Sequence, residues 1–422
     1  MEETFKQQLL YDLFQAYYDA RKNKRHTINA LKFEADYESK LIQLHQELIS
    51  NQYRIDKSIA FIIFKPVQRE VFAADFRDRI VHHLIYNYIN PVFEKRFIHD
   101  SYSCRTGKGT HYGIQRINKF IRSCTQNYTR NCYILKLDIH GYFMAIDKNI
   151  LYREIEQTLL KEQHRHCEPA FGGEAIYKKA NLKWLLQLIQ QVIMNDPTKN
   201  CTIKGNRKNW NGLPPTKSLF HAKPGCGLPI GNLTSQLFAN IYLNDFDHYV
   251  SGQMNVVYYG RYVDDFILIH NSKEHLKQSI PQIRNYLENK LALTLHPKKI
   301  YLQHYTKGVK FLGVIIKPYC IYIGSRTKGN FYQKIQYWNK FIHENGNKIS
   351  RDVLLFFLAS INSYLGILKH YHTYKLRKKF LWKHLSAYVW NYAYLSGGYG
   401  KLVPNWKVAT KYQTKKQYGH LE

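Results

Sequence analysis

Apolar residues recur at helical spacing twice in the first fifty positions, at Leu9, Leu10, Leu13 and Phe14 and again at Leu41, Leu44, Leu48 and Ile49. The basic turn Arg21-Lys-Asn-Lys-Arg25 between them either touches phosphate or faces water. The pattern then shortens. Apolar runs at 59–64 and 70–73 read as strands around Lys65-Pro-Val-Gln-Arg69. Asp75-Phe-Arg-Asp-Arg79 opens a helix with an acidic cap, continued over 80–89. Gly107 and Gly109 flank Lys108 in a loop able to approach phosphate, without Walker A spacing, and a helix over 111–123 follows.

Residues 133–139 form a strongly apolar strand that delivers a single carboxylate, Asp138. The chain then turns through Gly141-Tyr-Phe143 into a helix starting near Asp147. Residues 160–225 are the least patterned part: a helix over 182–194 lies between loop-like stretches at 162–181 and 195–225. A Gly-rich loop from Gly225 runs into an amphipathic helix expected to reach Tyr249. Beyond it the pattern predicts a helix over 272–291, a strand over 293–299 and a hairpin from 308–316 and 319–323. Helix follows from Phe331 to about Leu395, and a loosely ordered basic tail from Ser396. The apolar stretch 353–368 is interrupted by Ser360, Asn362 and Ser363, which suits a buried helix better than a membrane span.

The stretch Tyr258-Tyr-Gly-Arg-Tyr-Val-Asp-Asp-Phe-Ile-Leu-Ile269 reads as strand, tight turn, strand, with Asp264 and Asp265 at the turn. Two adjacent carboxylates repel each other unless a cation sits there, and oxygen-only ligands suit Mg²⁺ or Mn²⁺. The alternative is a surface hairpin with an acidic tip, which needs no second acidic partner. Asp138 supplies such a partner, because a carboxylate ending a buried strand is costly unless paired or bound to metal.

Charge narrows the picture further. The 422 residues carry 62 Lys and Arg against 31 Asp and Glu, a net charge of +31, with 35 Tyr and 22 Phe among them. That balance fits a protein wrapped around a polyanion, with aromatic faces to stack on bases. The length implies two or three domains. The seven cysteines show no CxxC pairing and read as reduced thiols of a cytoplasmic protein. His164, His166 and Cys167 read as a polar loop, with a metal site as the alternative. The N-terminus lacks a signal-peptide pattern.

The order of elements resembles the palm and thumb of reverse transcriptases over about 59–395: the Asp138 strand, a Gly-rich loop into a helix, the Tyr262-Val-Asp-Asp265 hairpin, then Phe311-Leu-Gly313. The resemblance implies an α+β right-hand polymerase fold. Its expected parts are an N-terminal helical extension (1–58), fingers (59–133) and a palm (134–323) with an insertion at about 160–225. A helical thumb (324–395) and a basic tail (396–422) complete it. It implies catalytic roles for Asp138, Asp264, Asp265 and Lys299. The three aspartates and the backbone of Ile139 would hold two Mg²⁺ ions, with Mn²⁺ possible in their place. Lys65, Arg69, Phe143, Ile230, Gly231 and Gln236 would meet the incoming nucleotide, Phe143 acting as a sugar gate against a ribose 2′-hydroxyl. Phe311, Leu312 and Gly313 match the primer grip.

One departure narrows the subfamily. Where most relatives carry Gln-Gly-xxx-Ser-Pro, this chain has Ile230-Gly-Asn-Leu-Thr-Ser-Gln236. That run looks like reverse transcriptases of diversity-generating retroelements, as do Phe76-Arg-Asp-Arg-Ile-Val-His-His83 and Tyr102-Ser-Cys-Arg105. The implied function is copying a template RNA into cDNA, error-prone at template adenines, to diversify a gene. The implied partners are template RNA, a DNA or RNA primer, dNTPs and a small basic accessory protein, with no membrane. The alternative is an antiviral-defence or retron-like enzyme making cDNA from its own non-coding RNA. A non-catalytic scaffold on a dead palm predicts a lost carboxylate, and all three are present.

Overall fold

The computed structural model describes residues 3–22, 24, 27–65, 67–166, 179–346 and 350–405. The chain divides into two compact units, 1–120 with 132–302 and 121–131 with 303–422.

The first unit opens with three helices, α1 (Glu3–Arg21), α2 (Ile28–Glu34) and α3 (Tyr37–Ile49). The apolar faces read from the sequence are the buried ones: Leu9 and Leu13 on α1, Leu41, Leu44 and Leu48 on α3. Arg21 of the basic turn is ion-paired with Glu34, while Asn23 and Arg25 lie outside the described residues. Strands β1 (Ser58–Ile63) and β2 (Arg69–Ala73) pair antiparallel, with Ile63 opposite Arg69. Helix α4 (Phe76–Arg96) starts where Asp75 accepts a hydrogen bond from the Arg77 backbone N–H at 3.0 Å, satisfying an otherwise orphan donor. It continues past Ile89 and through Pro91, further than the apolar pattern indicated. Next come α5 (Thr110–Cys124), β3 (Tyr133–Asp138), α6 (Tyr142–Ala145), α7 (Lys148–His166) and α8 (Lys179–Met194). Asp147 caps α7 by accepting from the N–H groups of Asn149 and Ile150. His164 therefore sits on a helix rather than a loop, and Cys167 lies outside the described residues.

The stretch 195–225 is more than loop. It contributes β4 (Cys201–Ile203), which pairs parallel with β1 to give a sheet of order β2-β1-β4. Helix α9 (Leu233–Tyr242) breaks at Leu243 into α10 (Asn244–His248), so no single helix reaches Tyr249. Strands β5 (Tyr258–Tyr262) and β6 (Asp265–His270) form the expected hairpin, and β6 lies between β5 and β3. Helix α11 (Lys273–Leu291) follows, capped by the Ser272 hydroxyl, which accepts from the His275 N–H. Residues 293–299 are not the expected strand. Leu295 makes one bridge to Ile139, and the chain then turns at Pro297, with the Lys299 N–H bonded to the His296 carbonyl at 3.1 Å. The strand that follows is β7 (Tyr301–His304).

The second unit contains a three-stranded meander, β8 (Val309–Phe311), β9 (Val314–Lys317) and β10 (Cys320–Ile323), where a two-stranded hairpin was expected. Helices α12 (Ser325–Glu344), α13 (Arg351–Leu368) and α14 (Tyr374–Lys379) follow. Helix α13 has the length and apolarity of a membrane span, and its Leu354, Phe357, Ile361 and Leu365 are buried in this unit's own core. The chain from Ser396 is not loosely ordered as far as Pro404: β11 (Ala393–Ser396) and β12 (Lys401–Pro404) pair as a hairpin. Gly397 and Gly398, both at positive φ, make its turn, and the Asn362 side chain bonds both backbone groups of Leu402.

Candidate active site

Strand register alone brings the carboxylates together. In the antiparallel pairing of β3 with β6, Asp138 stands opposite Asp265. In the β5–β6 hairpin Tyr262 stands opposite Asp265, leaving Val263 and Asp264 as a two-residue turn. The Asp264 carbonyl accepts from the Ile139 N–H at 3.1 Å, which ties the turn to the end of β3. Ile139 itself is buried.

The turn is strained. Val263 has φ +57°, a left-handed conformation that a β-branched side chain rarely adopts, and such positions cost about 1–3 kcal/mol. Arg261 holds it from below, its Nη1 donating to the Val263 carbonyl at 3.0 Å. Arg261 and Asp247 are both fully buried. They form a two-point pair, Nε to Oδ1 at 2.7 Å and Nη2 to Oδ2 at 2.6 Å. The Tyr259 hydroxyl donates to the same Oδ1 at 2.6 Å. Gly260 is required here, because a Cβ would run into the Tyr102 ring, 3.0 Å from its Cε2.

Burial dominates the electrostatics of the carboxylates. It pushes Asp264 up to about 6, with Asp138 and Asp265 adding repulsion. It likewise pushes Asp265 up to about 6, partly offset by Lys136. Lys136 Nζ lies 2.9 Å from Asp265 Oδ2, and Lys299 Nζ lies 2.9 Å from both oxygens of Asp138. Among the described residues, the buried Asp265 Oδ1 has no hydrogen-bond partner. Among the described residues no three metal-ligating side chains converge on one point; the two lysines supply the countercharge. A hard divalent cation nevertheless fits this donor set: three carboxylates, two of them disfavoured as bare anions, and one buried oxygen with no partner.

The other sequence-derived residues fall in three places. Lys65 and Arg69 are exposed on the β1–β2 hairpin, and Arg69 is near enough to help stabilise the Tyr262 phenolate, although burial dominates and raises that group. Phe143 sits on the short helix α6 that follows Asp138, half-buried, its carbonyl accepting from the Leu228 N–H at 2.8 Å. The Gly-rich loop is strapped to β2. The Ile230 carbonyl accepts from the Phe72 N–H at 2.8 Å, and Asn232 Oδ1 from the Ala74 N–H at 3.1 Å. A Cβ on Gly231 would meet the Phe72 carbonyl at 2.8 Å, so only glycine permits this approach. Gln236 is exposed on α9. Phe311, Leu312 and Gly313 belong to the second unit, where Leu312 and Gly313, both at positive φ, make the β8–β9 turn.

Sequence reasoning missed Lys136, Arg261, Asp247 and Glu70. Lys136 shares a strand face with Asp138 by the period of two, a signal that was available. Arg261 is a lone charge in an apolar strand, which flags a buried partner without naming it.

A family model described as reverse transcriptase (RNA-dependent DNA polymerase) matches residues 68–316. Protein YkfC of Escherichia coli (strain K12) is 24% identical over 320 residues, covering 68% of this chain and 73% of that protein. Among solved structures, apo telomerase from Candida tropicalis truncated from its C-terminal domain aligns with TM-score 0.42 and 15% identity over 67% of this chain and 59% of that one. Telomerase from Candida tropicalis in complex with a TWJ fragment of telomeric RNA aligns with TM-score 0.46 and 13% identity, covering 81% and 59%. The chain thus spans about three fifths of the length of these telomerase chains.

Proposed function

Because this chain belongs to the reverse transcriptase (RNA-dependent DNA polymerase) family, with its right-hand polymerase fold and RNA-directed DNA polymerase activity, we propose a finer role: error-prone copying of a template RNA to diversify a gene. The observation that carries it is Ile230. In the Gly-rich loop, an apolar side chain packs against the small core of Ala60, Phe72, Met144 and Leu219, where most reverse transcriptases resembling this chain carry a glutamine able to hydrogen-bond. Losing such a bond weakens discrimination by about 1–3 kcal/mol.

The family uses divalent metal ions, and Mg²⁺ is the ion proposed, held by Asp138, Asp264, Asp265 and the Ile139 backbone. These groups would hold the metal, and when bound it would supply charge stabilisation for the primer 3′-hydroxyl and the triphosphate. Lys65 and Arg69 grip the triphosphate from the β1–β2 hairpin. Phe143 excludes a ribose 2′-hydroxyl. Lys299, free to leave Asp138 once its charge is met otherwise, hands a proton to the departing pyrophosphate. Phe311, Leu312 and Gly313 hold the primer. A small basic accessory protein and a cytoplasmic location belong to the same reading.

The test is primer extension on a defined RNA template with Mg²⁺, followed by cDNA sequencing, with Asp264→Asn as the inactive control. Errors concentrated at template adenines, reduced in Ile230→Gln, are expected. Faithful cDNA from the wild type, with its cognate RNA and accessory protein supplied, refutes the mutagenic role and favours a defence-type enzyme.

A further inference from the structure

Residues 197–232 contain Lys199, Lys204, Arg207, Lys208, Lys217 and Lys223 and no Asp or Glu. All six cations are exposed, and among the described residues none is in an ion pair. Like charges at this density favour an extended, mobile loop. This segment is instead fastened at several points. β4 pairs with β1, and the Lys204 N–H bonds the Ala60 carbonyl at 2.8 Å. Glu70 of β2, 2% exposed, accepts from Trp210 Nε1 at 2.6 Å, the Ser218 hydroxyl at 2.7 Å and the Leu219 N–H at 2.5 Å. Gln68, in the hairpin between Lys65 and Arg69, donates to the Asn209 carbonyl at 2.8 Å. At its far end the Lys148 N–H bonds the Gly225 carbonyl at 3.0 Å.

A carboxylate that accepts three hydrogen bonds in the interior is an anchor, and the cations ride on a fixed base rather than a loop. Aromatic faces lie among them. Phe64 is 57% exposed, and Phe220 is 41% exposed with its ring 5.4 Å from Phe72. Exposed cations with open rings among them suit unpaired bases, since bases within a duplex have no free face to stack.

We infer that the strap 199–223 is a binding surface for the single-stranded part of the template RNA, with Lys204, Arg207 and Lys208 on its phosphates and Phe220 against a base. The inference rests on the reverse transcriptase reading. It adds to it a strand-specific role for the inserted segment.

The test uses the full chain and its triple variant Lys204→Gln/Arg207→Gln/Lys208→Gln, three exposed side chains whose loss leaves the anchors in place. Two probes are compared: a fluorescein-labelled RNA annealed to a DNA primer with a single-stranded 5′ template overhang, and a blunt RNA–DNA duplex. Removing three phosphate contacts to a single strand lowers the slope of log affinity against log salt by about 2. Between 50 and 200 mM salt the variant should therefore lose about 16-fold less affinity than the wild type on the overhang probe. The blunt duplex should show no difference, and Lys204→Arg/Lys208→Arg should keep wild-type affinity. An unchanged slope overturns the inference, as does an equal change on both probes. A raised KM for dNTP with RNA affinity intact would overturn it too, assigning the cations to the triphosphate. Primer extension by the wild type is scored separately, so a protein that binds the overhang but extends nothing refutes the polymerase reading and leaves the strap standing.

Discussion

The Arg261–Asp247 pair makes the sharpest claim about how the carboxylate hairpin is held. Arg261→Met removes both charge-assisted bonds to Asp247 and the bond from Nη1 to the Val263 carbonyl. Among the described residues the fully buried Asp247 carboxylate then keeps only the Tyr259 hydroxyl as a partner. Breaking a buried pair from one side costs about 3–5 kcal/mol, a large part of the 5–15 kcal/mol typical of a folded domain. The single variant therefore loses activity for two confounded reasons. Arg261→Met with Asp247→Leu separates them. Replacing both partners by apolar groups of similar volume is commonly neutral or stabilising, so denaturant midpoints should return close to wild type. The strained Val263 turn still lacks its tether, at a loss of about 1 kcal/mol for the bond and with up to 1–3 kcal/mol of strain free to relax. Because a 1 Å misplacement near reacting atoms costs about 100-fold, kcat for primer extension should fall roughly 10- to 100-fold in the refolded double variant. Wild-type stability together with wild-type kcat would refute the tether and leave Arg261 as no more than a counterion.

Two other perturbations follow from local geometry. Gly231→Ala places a Cβ 2.8 Å from the Phe72 carbonyl and 2.9 Å from Val71 Cγ1, so it should lower stability by about 1–3 kcal/mol and raise the KM for dNTP. Gly225→Ala, also at positive φ but with nothing within 4 Å, should leave that KM unchanged, and equal effects at the two sites would refute the close-approach argument. Glu154 is pushed up to about 9 by burial, with repulsion from Asp245 adding to it. The folded state then binds a proton that the unfolded chain has released, so stability falls as pH rises from about 5 to 9 and levels off above, with a limiting slope of about 1.4 kcal/mol per pH unit. Glu154→Gln should remove that slope in denaturant titrations, and parallel pH profiles for the two proteins would show that Glu154 is ionised in the fold.

The carboxylate strand and hairpin were legible in the sequence because their determinants are local. A period of two sets which side chains share a face, and a two-residue loop between apolar runs sets the register of β5 on β6. The cap at Asp75 was legible in the same way, being a side chain that satisfies a backbone donor within one turn. Errors arose where a local signal has two physical meanings. Gly397 and Gly398 suit a loose tail and a hairpin turn equally well, and it is Asn362, packed from helix α13, that decides for the hairpin. The run 293–299 has strand-like composition, but its partner is limited to one bridge at Ile139.

By itself, then, the sequence determined the three carboxylates, the Gly-rich loop and the order of elements around them. Tertiary structure decided what holds them: Arg261 on Asp247 beneath Val263, Lys136 on Asp265, Lys299 on Asp138, and Glu70 clasping a segment about 140 positions away. The reason is physical. A buried charge announces that a partner must exist, since an unpaired one is too costly to keep. Which of the chain's 62 cations meets it depends on strand register and packing between distant segments, and no local pattern encodes that choice.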